Sequence, residues 1–219
     1  MNEQSVRTRM VAACQTLQSG GLLGGTAGNV SVRLGTDMLI TPSGAGPDDL
    51  DPRMLARMKI DSDSEVAEGP LLQSSEWRFH RDLYRARPDF GAVVHTHAPF
   101  CTILAIARRP IPAVHYMIAA FGGSDIRVAD YATYGTEELS THVVAAMEGR
   151  NGCLMANHGM VVGAQTLDKA VNLARELEVL AHQHYHALAI GGGHILSDAQ
   201  IEDTAQRFAG YGMQHKNTA

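Results

Sequence analysis

No stretch of this chain approaches the ~20 consecutive apolar residues that a membrane-spanning helix requires. The opening residues, Met1-Asn2-Glu3-Gln4-Ser5-Val6-Arg7, carry no apolar signal region. No block of lysine or arginine interrupts a net charge of −5, which excludes a nucleic-acid surface built from overall charge but not a local positive pocket. Linkers rich in proline or serine, internal repeats and low-complexity tracts are also missing, so the 219 residues are expected to form one domain. Cysteine is scarce. Cys14, Cys101 and Cys153 each lie among Ala, Leu, Ile or Met. An odd count without a signal region predicts free, mostly buried thiols in a reducing cytosol, and hence a cytoplasmic protein.

Hydrophobic residues make up 45% of the chain and charged residues 19%, which suits a globular protein with a substantial core. Val6, Met10, Ala13, Cys14 and Leu17 share one face of a helix expected over 5–19. Val30-Ser31-Val32 and Met38-Leu39-Ile40 flank a turn at Gly35-Thr36-Asp37 and read as a hairpin. A helix is expected over 74–86 with Ser74 or Ser75 as its cap, and another opens at Thr136-Glu137-Glu138. Short strands are expected at 92–95, 153–156 and 160–163, with helices at 98–107 and 167–189. Ser197-Asp198-Ala199-Gln200 reads as a capping box that starts a final helix. The mixture predicts an α/β/α sandwich whose helices flank a largely antiparallel sheet.

The most informative residues are histidines. Gly91-Ala92-Val93-Val94-His95-Thr96-His97 ends an apolar run, and Ala156-Asn157-His158-Gly159 follows another. Alternate residues of an extended segment point the same way, so His95 and His97 can face one point. Imidazole is the commonest neutral metal ligand, and three protein ligands with a fourth position open make a catalytic zinc site. The competing reading is chance, since the chain has 11 histidines. His182 and His186 share a helix face, and the simpler reading there is a pair of cations near a helix C-terminus.

Gly24-Gly25-Thr26-Ala27-Gly28-Asn29 is a loop whose backbone N–H groups can cradle a phosphate, although it lacks the Gly-Lys-Ser/Thr of a nucleotide-binding loop. Thr41-Pro42-Ser43-Gly44 and Ser74-Ser75 add hydroxyls at turns or helix starts. Singly, each is an ordinary turn or cap. Glu76 is a base if it stands beside a metal, and otherwise a surface carboxylate suited to a helix start. Glu176 and Glu178, on the long helix, are expected to be exposed, the alternative being a hydrogen bond from one of them to a ligand histidine. Tyr116, Tyr131, Tyr134 and Tyr211 are candidate proton donors or simply packed rings.

Taken in order, Gly25-Thr26-Ala27-Gly28-Asn29-Val30-Ser31-Val32-Arg33, Met38-Leu39-Ile40-Thr41-Pro42, Ser74-Ser75-Glu76-Trp77-Arg78-Phe79-His80, Ala92-Val93-Val94-His95, the run from Ile111 to Ala120, Tyr131-Ala132-Thr133 and His158-Gly159 resemble the class II aldolase/adducin family. The resemblance implies a divalent zinc, with cobalt or manganese as substitutes, held by His95, His97 and His158. It implies that Glu76 is the acid/base and that Thr26, Asn29, Ser43, Gly44, Ser74 and Ser75 bind phosphate. Tyr116 falls on a tyrosine that reaches in from a neighbouring subunit of a homotetramer to protonate the aldehyde oxygen. Tyr211 falls on a C-terminal tyrosine that helps close the site. The implied reaction is retro-aldol cleavage of a ketose 1-phosphate to dihydroxyacetone phosphate and an aldehyde. Its substrate would be L-fuculose 1-phosphate or a 5-deoxy- or 5-methylthio-pentulose 1-phosphate. Thr96, Ser43, Asn157, Phe121 and Tyr134 depart from the family pattern, mostly near the aldehyde half. A sugar-phosphate 4-epimerase, a 3-oxo acid phosphate decarboxylase and a non-catalytic adducin-like module are the alternatives on the same scaffold.

Overall fold

The computed structural model describes residues 2–62 and 64–210. Helix α1 (Glu3–Ser19) leads into β1 (Asn29–Leu34) and β2 (Asp37–Ile40), and a 3-10 turn (Pro52–Met54) precedes β3 (Ala56–Lys59). Next come α2 (Trp77–Ala86), β4 (Ala92–Thr96), α3 (Pro99–Ile106) and β5 (Ile111–Pro112). A 3-10 segment (Tyr116–Phe121), β6 (Asp125–Ile126), β7 (Val128–Ala129) and α4 (Glu137–Ala146) follow. The chain continues through β8 (Gly152–Met155), β9 (Gly159–Ala164), α5 (Leu167–Ala189) and α6 (Asp198–Ala209).

Seven strands form the central sheet in the order β3-β2-β1-β4-β9-β8-β7, while β5 and β6 make a separate pair. Every neighbouring pair in the central sheet is antiparallel except β7 with β8. Alternation along the strands divides the core in two. Ala92 and Val94 of β4 join Leu17 of α1, Leu104 of α3 and Leu177 of α5. Val93, between them, joins Phe79 and Leu83 of α2 and Val143 of α4. The result is the expected three layers, with α1, α3 and α5 on one face and α2 and α4 on the other. Among the described residues, no helix is long and apolar enough to cross a membrane.

Two local expectations need correction. The helix expected from residue 74 begins at Trp77, and no side chain caps it. The Ser74 amide donates to the Thr41 carbonyl (3.0 Å), and the Ser74 carbonyl accepts from Trp77 N–H (3.2 Å). Ser74 is therefore tied to the segment after β2 and closes a turn, which leaves Glu76 at the junction and not inside the first turn. Like Glu176, Glu178 is half-buried rather than exposed. Its carboxylate accepts the N–H groups of Phe100 (2.8 Å) and Cys101 (2.9 Å). Helix α3 opens with Ala98-Pro99, which supplies no capping side chain, so α5 supplies the acceptor. The three cysteines are buried and free, and burial pushes the Cys14 and Cys153 thiols up to about 12.

Candidate active site

Three imidazoles converge at one end of the central strands. His95 is the penultimate residue of β4, and His97 follows one residue past its end. His158 occupies the turn between β8 and β9, and the Thr96–Met160 pairing brings that turn alongside β4. One ligand nitrogen from each ring lies within 4.8 Å of the other two, and ring centroids are 4.8–5.0 Å apart. Asn157 adopts φ 54°, a left-handed conformation that asparagine tolerates better than most residues. Gly159 is required by space. A Cβ there would stand 2.5 Å from the Thr96 carbonyl oxygen and 3.0 Å from the His97 ring.

His95 Nδ1 donates to the Met160 carbonyl (2.8 Å), so Nε2 carries the lone pair of the neutral ring. That Nε2 is buried and has no hydrogen-bond partner among the described residues. It faces Glu76 Oε2 at 3.2 Å, and His158 Nε2 faces Glu76 Oε1 at the same 3.2 Å. A lone pair against a carboxylate oxygen is repulsive unless a cation, either a proton or a metal ion, stands with them. Burial works to raise the Glu76 carboxyl, but His95, His158 and the Asn29 amide outweigh it and hold the group well below the usual carboxylate range. Burial lowers His95, and Glu76 more than reverses this, so its value is raised. Burial and the neighbouring His95 lower both His97 and His158, the latter to about 4. Three imidazoles, one with an orphaned nitrogen and a backbone carbonyl pinning its other nitrogen, fit a nitrogen-preferring divalent metal. Among the described residues this is the one such cluster found. His182 and His186 pack with Phe100 instead, with His182 stacked on it at 4.1 Å.

A cleft of about 320 Å³ opens beside the imidazoles. Its walls include Glu76, His97 and His158, together with all six residues expected at the phosphate: Thr26, Asn29, Ser43, Gly44, Ser74 and Ser75. Among the described residues no lysine or arginine lines it, so an anion would be held by hydroxyls and backbone N–H groups. Tyr131 and Tyr134 form another wall, and Arg78 of α2 ties their loop down by donating to the Gly135 carbonyl (2.8 Å). Tyr116 does not line this cleft. It is half-exposed at the start of the 3-10 segment, beside His115 and Phe208. Tyr211 lies outside the described residues.

Residues 8–185 match the class II aldolase and adducin N-terminal domain family. The chain belongs to that family. It is 50% identical over 208 residues to a 5-methylthioribulose-1-phosphate/5-deoxyribulose-1-phosphate aldolase of Rhodospirillum rubrum, covering 95% of this chain and 93% of that protein. It is 44% identical over 215 residues to the L-fuculose phosphate aldolase of Escherichia coli K12, covering 98% and 99%. Among solved structures, an L-fuculose 1-phosphate aldolase superposes with a TM-score of 0.89 at 40% identity, covering 94% of this chain and 96% of that one. The chain is accordingly a class II, metal-dependent aldolase.

Reasoning from sequence missed His80, Ser31 and Tyr84 behind Glu76, and gave Asn29 to the phosphate alone. Asn29 Nδ2 donates to Glu76 Oε2 (3.0 Å), and the Asn29 carbonyl oxygen meets His80, which in turn meets Ser31 and Tyr84. The available signal was spacing: Glu76, His80 and Tyr84 recur every four residues, and Asn29 and Ser31 every two.

Proposed function

We propose that this aldolase cleaves a ketose 1-phosphate between C3 and C4, releasing dihydroxyacetone phosphate and an aldehyde, with zinc as its metal and a homotetramer as its working form. The observation that carries the reading is the Glu76 carboxyl group wedged 3.2 Å from two imidazole nitrogens in a cleft whose hydroxyls suit a phosphate. His95, His97 and His158 would hold a divalent metal, which would supply a Lewis acid for the C2 carbonyl.

The chain's own groups do the rest. Thr26, Ser43, Ser74 and Ser75, with the Gly44 backbone, hold the phosphate as neutral donors, leaving net charge for the reacting end; Asn29, expected in that set, has its side-chain amide on Glu76 and His80 instead. In the synthetic direction Glu76, ionised because its neighbours lower its pKa, accepts the proton from C3 of dihydroxyacetone phosphate. The aldehyde oxygen, which becomes an alkoxide as the C–C bond forms, takes its proton from Tyr116 of a neighbouring subunit. The exposure of Tyr116 away from its own cleft supports that assignment. Tyr211 is assigned to closing the site. Imine chemistry lacks an amine: among the described residues the lysines are Lys59, paired with Asp37, and Lys169, bonded to Gln165, and neither lines the cleft.

The substrate is proposed to be a 5-deoxy- or 5-methylthio-pentulose 1-phosphate, or L-fuculose 1-phosphate, by likeness to the relatives named above. The test is a panel of these esters with zinc-loaded protein, coupling dihydroxyacetone phosphate to NADH oxidation. EDTA-sensitive release is expected. Zinc bound without release from any ester would remove the aldol reading and leave the epimerase or decarboxylase alternatives.

A further inference from the structure

A chain of hydrogen bonds leads from Glu76 away from the cleft into the seam between α2 and the sheet. Glu76, at the N-cap of α2, and His80 and Tyr84 within it stand at four-residue intervals and form one stripe facing the sheet. Asn29 and Ser31 alternate along β1 and face that stripe. All five side chains are buried, from fully for Ser31 and His80 to 7% exposed for Glu76. Asn29 Nδ2 meets Glu76 Oε2 at 3.0 Å, and Asn29 Oδ1 meets His80 Nε2. His80 Nδ1 meets Ser31 Oγ at 2.7 Å, and Ser31 Oγ meets the Tyr84 hydroxyl at 2.9 Å.

The direction of every link follows from its first member. An ionised carboxylate only accepts, so Asn29 presents its NH₂ to Glu76 and its carbonyl oxygen to His80. The facing His80 nitrogen must then be Nε2–H. A buried imidazole with no carboxylate partner is neutral, so Nδ1 keeps a lone pair. Ser31 donates to that lone pair, and its oxygen accepts from Tyr84. Reversing one link would set two acceptors or two donors face to face in a dry seam. The far end of the carboxylate is different. Among the described residues Oε1 has no hydrogen-bond partner, and it faces His158 Nε2 at 3.2 Å on the side of the cleft.

We propose that Tyr84, Ser31 and His80 act through Asn29 as positioning residues, fixing the Glu76 carboxylate so that Oε2 is occupied and Oε1 alone is free to exchange the substrate proton. The fixed direction of the chain also locks His80 as its Nε2–H tautomer. Locking the amide of Asn29 prevents the flip that would turn its oxygen on the carboxylate. The part about proton exchange rests on the aldolase reading above, whereas the direction of the chain does not.

Two measurements test it on the full-length protein. Long-range 15N–1H correlations of the His80 ring, in metal-free and zinc-loaded samples, should show Nε2 protonated and Nδ1 bare from about pH 6 to 8. An Nδ1–H ring would overturn the proposal whatever the activity. In steady-state kinetics on whichever ketose 1-phosphate the wild type cleaves, Ser31→Ala and Tyr84→Phe should lower kcat about tenfold, with KM and zinc content within about twofold of wild type. His80→Gln, whose amide N–H can still reach Asn29 Oδ1, should recover most of what His80→Phe loses. Ser31→Ala added to Glu76→Gln should lower the residual rate no further. Variants that lose melting temperature but keep kcat would reduce the chain to packing and sink the proposal. If the wild type cleaves none of the esters, the aldolase reading fails, and the 15N result still decides the direction of the chain.

Discussion

His95 Nε2 and Glu76 Oε2 stand 3.2 Å apart with no donor hydrogen supplied by any other residue to the nitrogen. In the metal-free protein a proton on Nε2 would relieve this contact, in keeping with the directions in which Glu76 raises His95 and His95 lowers Glu76. Metal binding requires a bare Nε2, so that proton must leave. Acid therefore favours the metal-free form, and zinc affinity should rise with pH through the His95 titration, by about tenfold per pH unit while one proton is released, then level off. His158, lowered to about 4, adds a second proton only in stronger acid. Calorimetry near pH 6 in buffers of different ionisation enthalpy should count about one proton released per zinc. A count of zero would contradict a proton on Nε2.

Glu76→Gln keeps the shape of the side chain and removes its ability to accept a proton. Turnover should fall by roughly 10²–10⁴-fold, the usual contribution of a positioned base. Zinc should still bind, because the three imidazoles are untouched. A variant with near-normal kcat would take Glu76 out of the mechanism.

Gly159→Ala tests the close approach of the β8–β9 turn to β4. The new methyl meets the Thr96 carbonyl at 2.5 Å and the His97 ring at 3.0 Å, so the turn or the ring must move. A cost of about 1–3 kcal/mol in stability is expected from overpacking. Zinc affinity should drop at least tenfold, in line with other losses of ligand support. Thermal melts and zinc titration read the two effects separately, and wild-type zinc affinity would mean that His97 tolerates the shift.

Glu178→Ala removes the acceptor that α5 lends to the start of α3. Two N–H groups then lose a charged partner, at a cost of about 1–2 kcal/mol. Because Glu178 does not line the cleft, kcat and KM should stay at wild-type values. Reduced kcat at full zinc occupancy would reveal a coupling between α3 and the site.

Much of this was legible in the chain. The i, i+2 spacing of His95 and His97 survives folding because β4 is extended to its end. The long helix over 167–189 and the Ser197 capping box appear where periodicity and capping residues placed them. What escaped was tertiary. Ser74 looked like a cap but is held by the Thr41 carbonyl across the chain. Glu178 looked like surface until α3 proved to need an acceptor. The roles of His80, Ser31 and Tyr84 escaped because their polar groups meet one another and Asn29 across a helix–strand seam that no local pattern displays.

The Met160 carbonyl that orients His95 belongs to the strand pairing at the middle of the sheet. A slip of one residue between β4 and β9 would turn one partner's side chains to the opposite face and carry this carbonyl away from the ring. Metal capture thus works as a gauge of correct zipping. A chain that has paired these strands wrongly has no third ligand to offer, so zinc uptake during refolding would report when the centre of the sheet has closed in its native alignment.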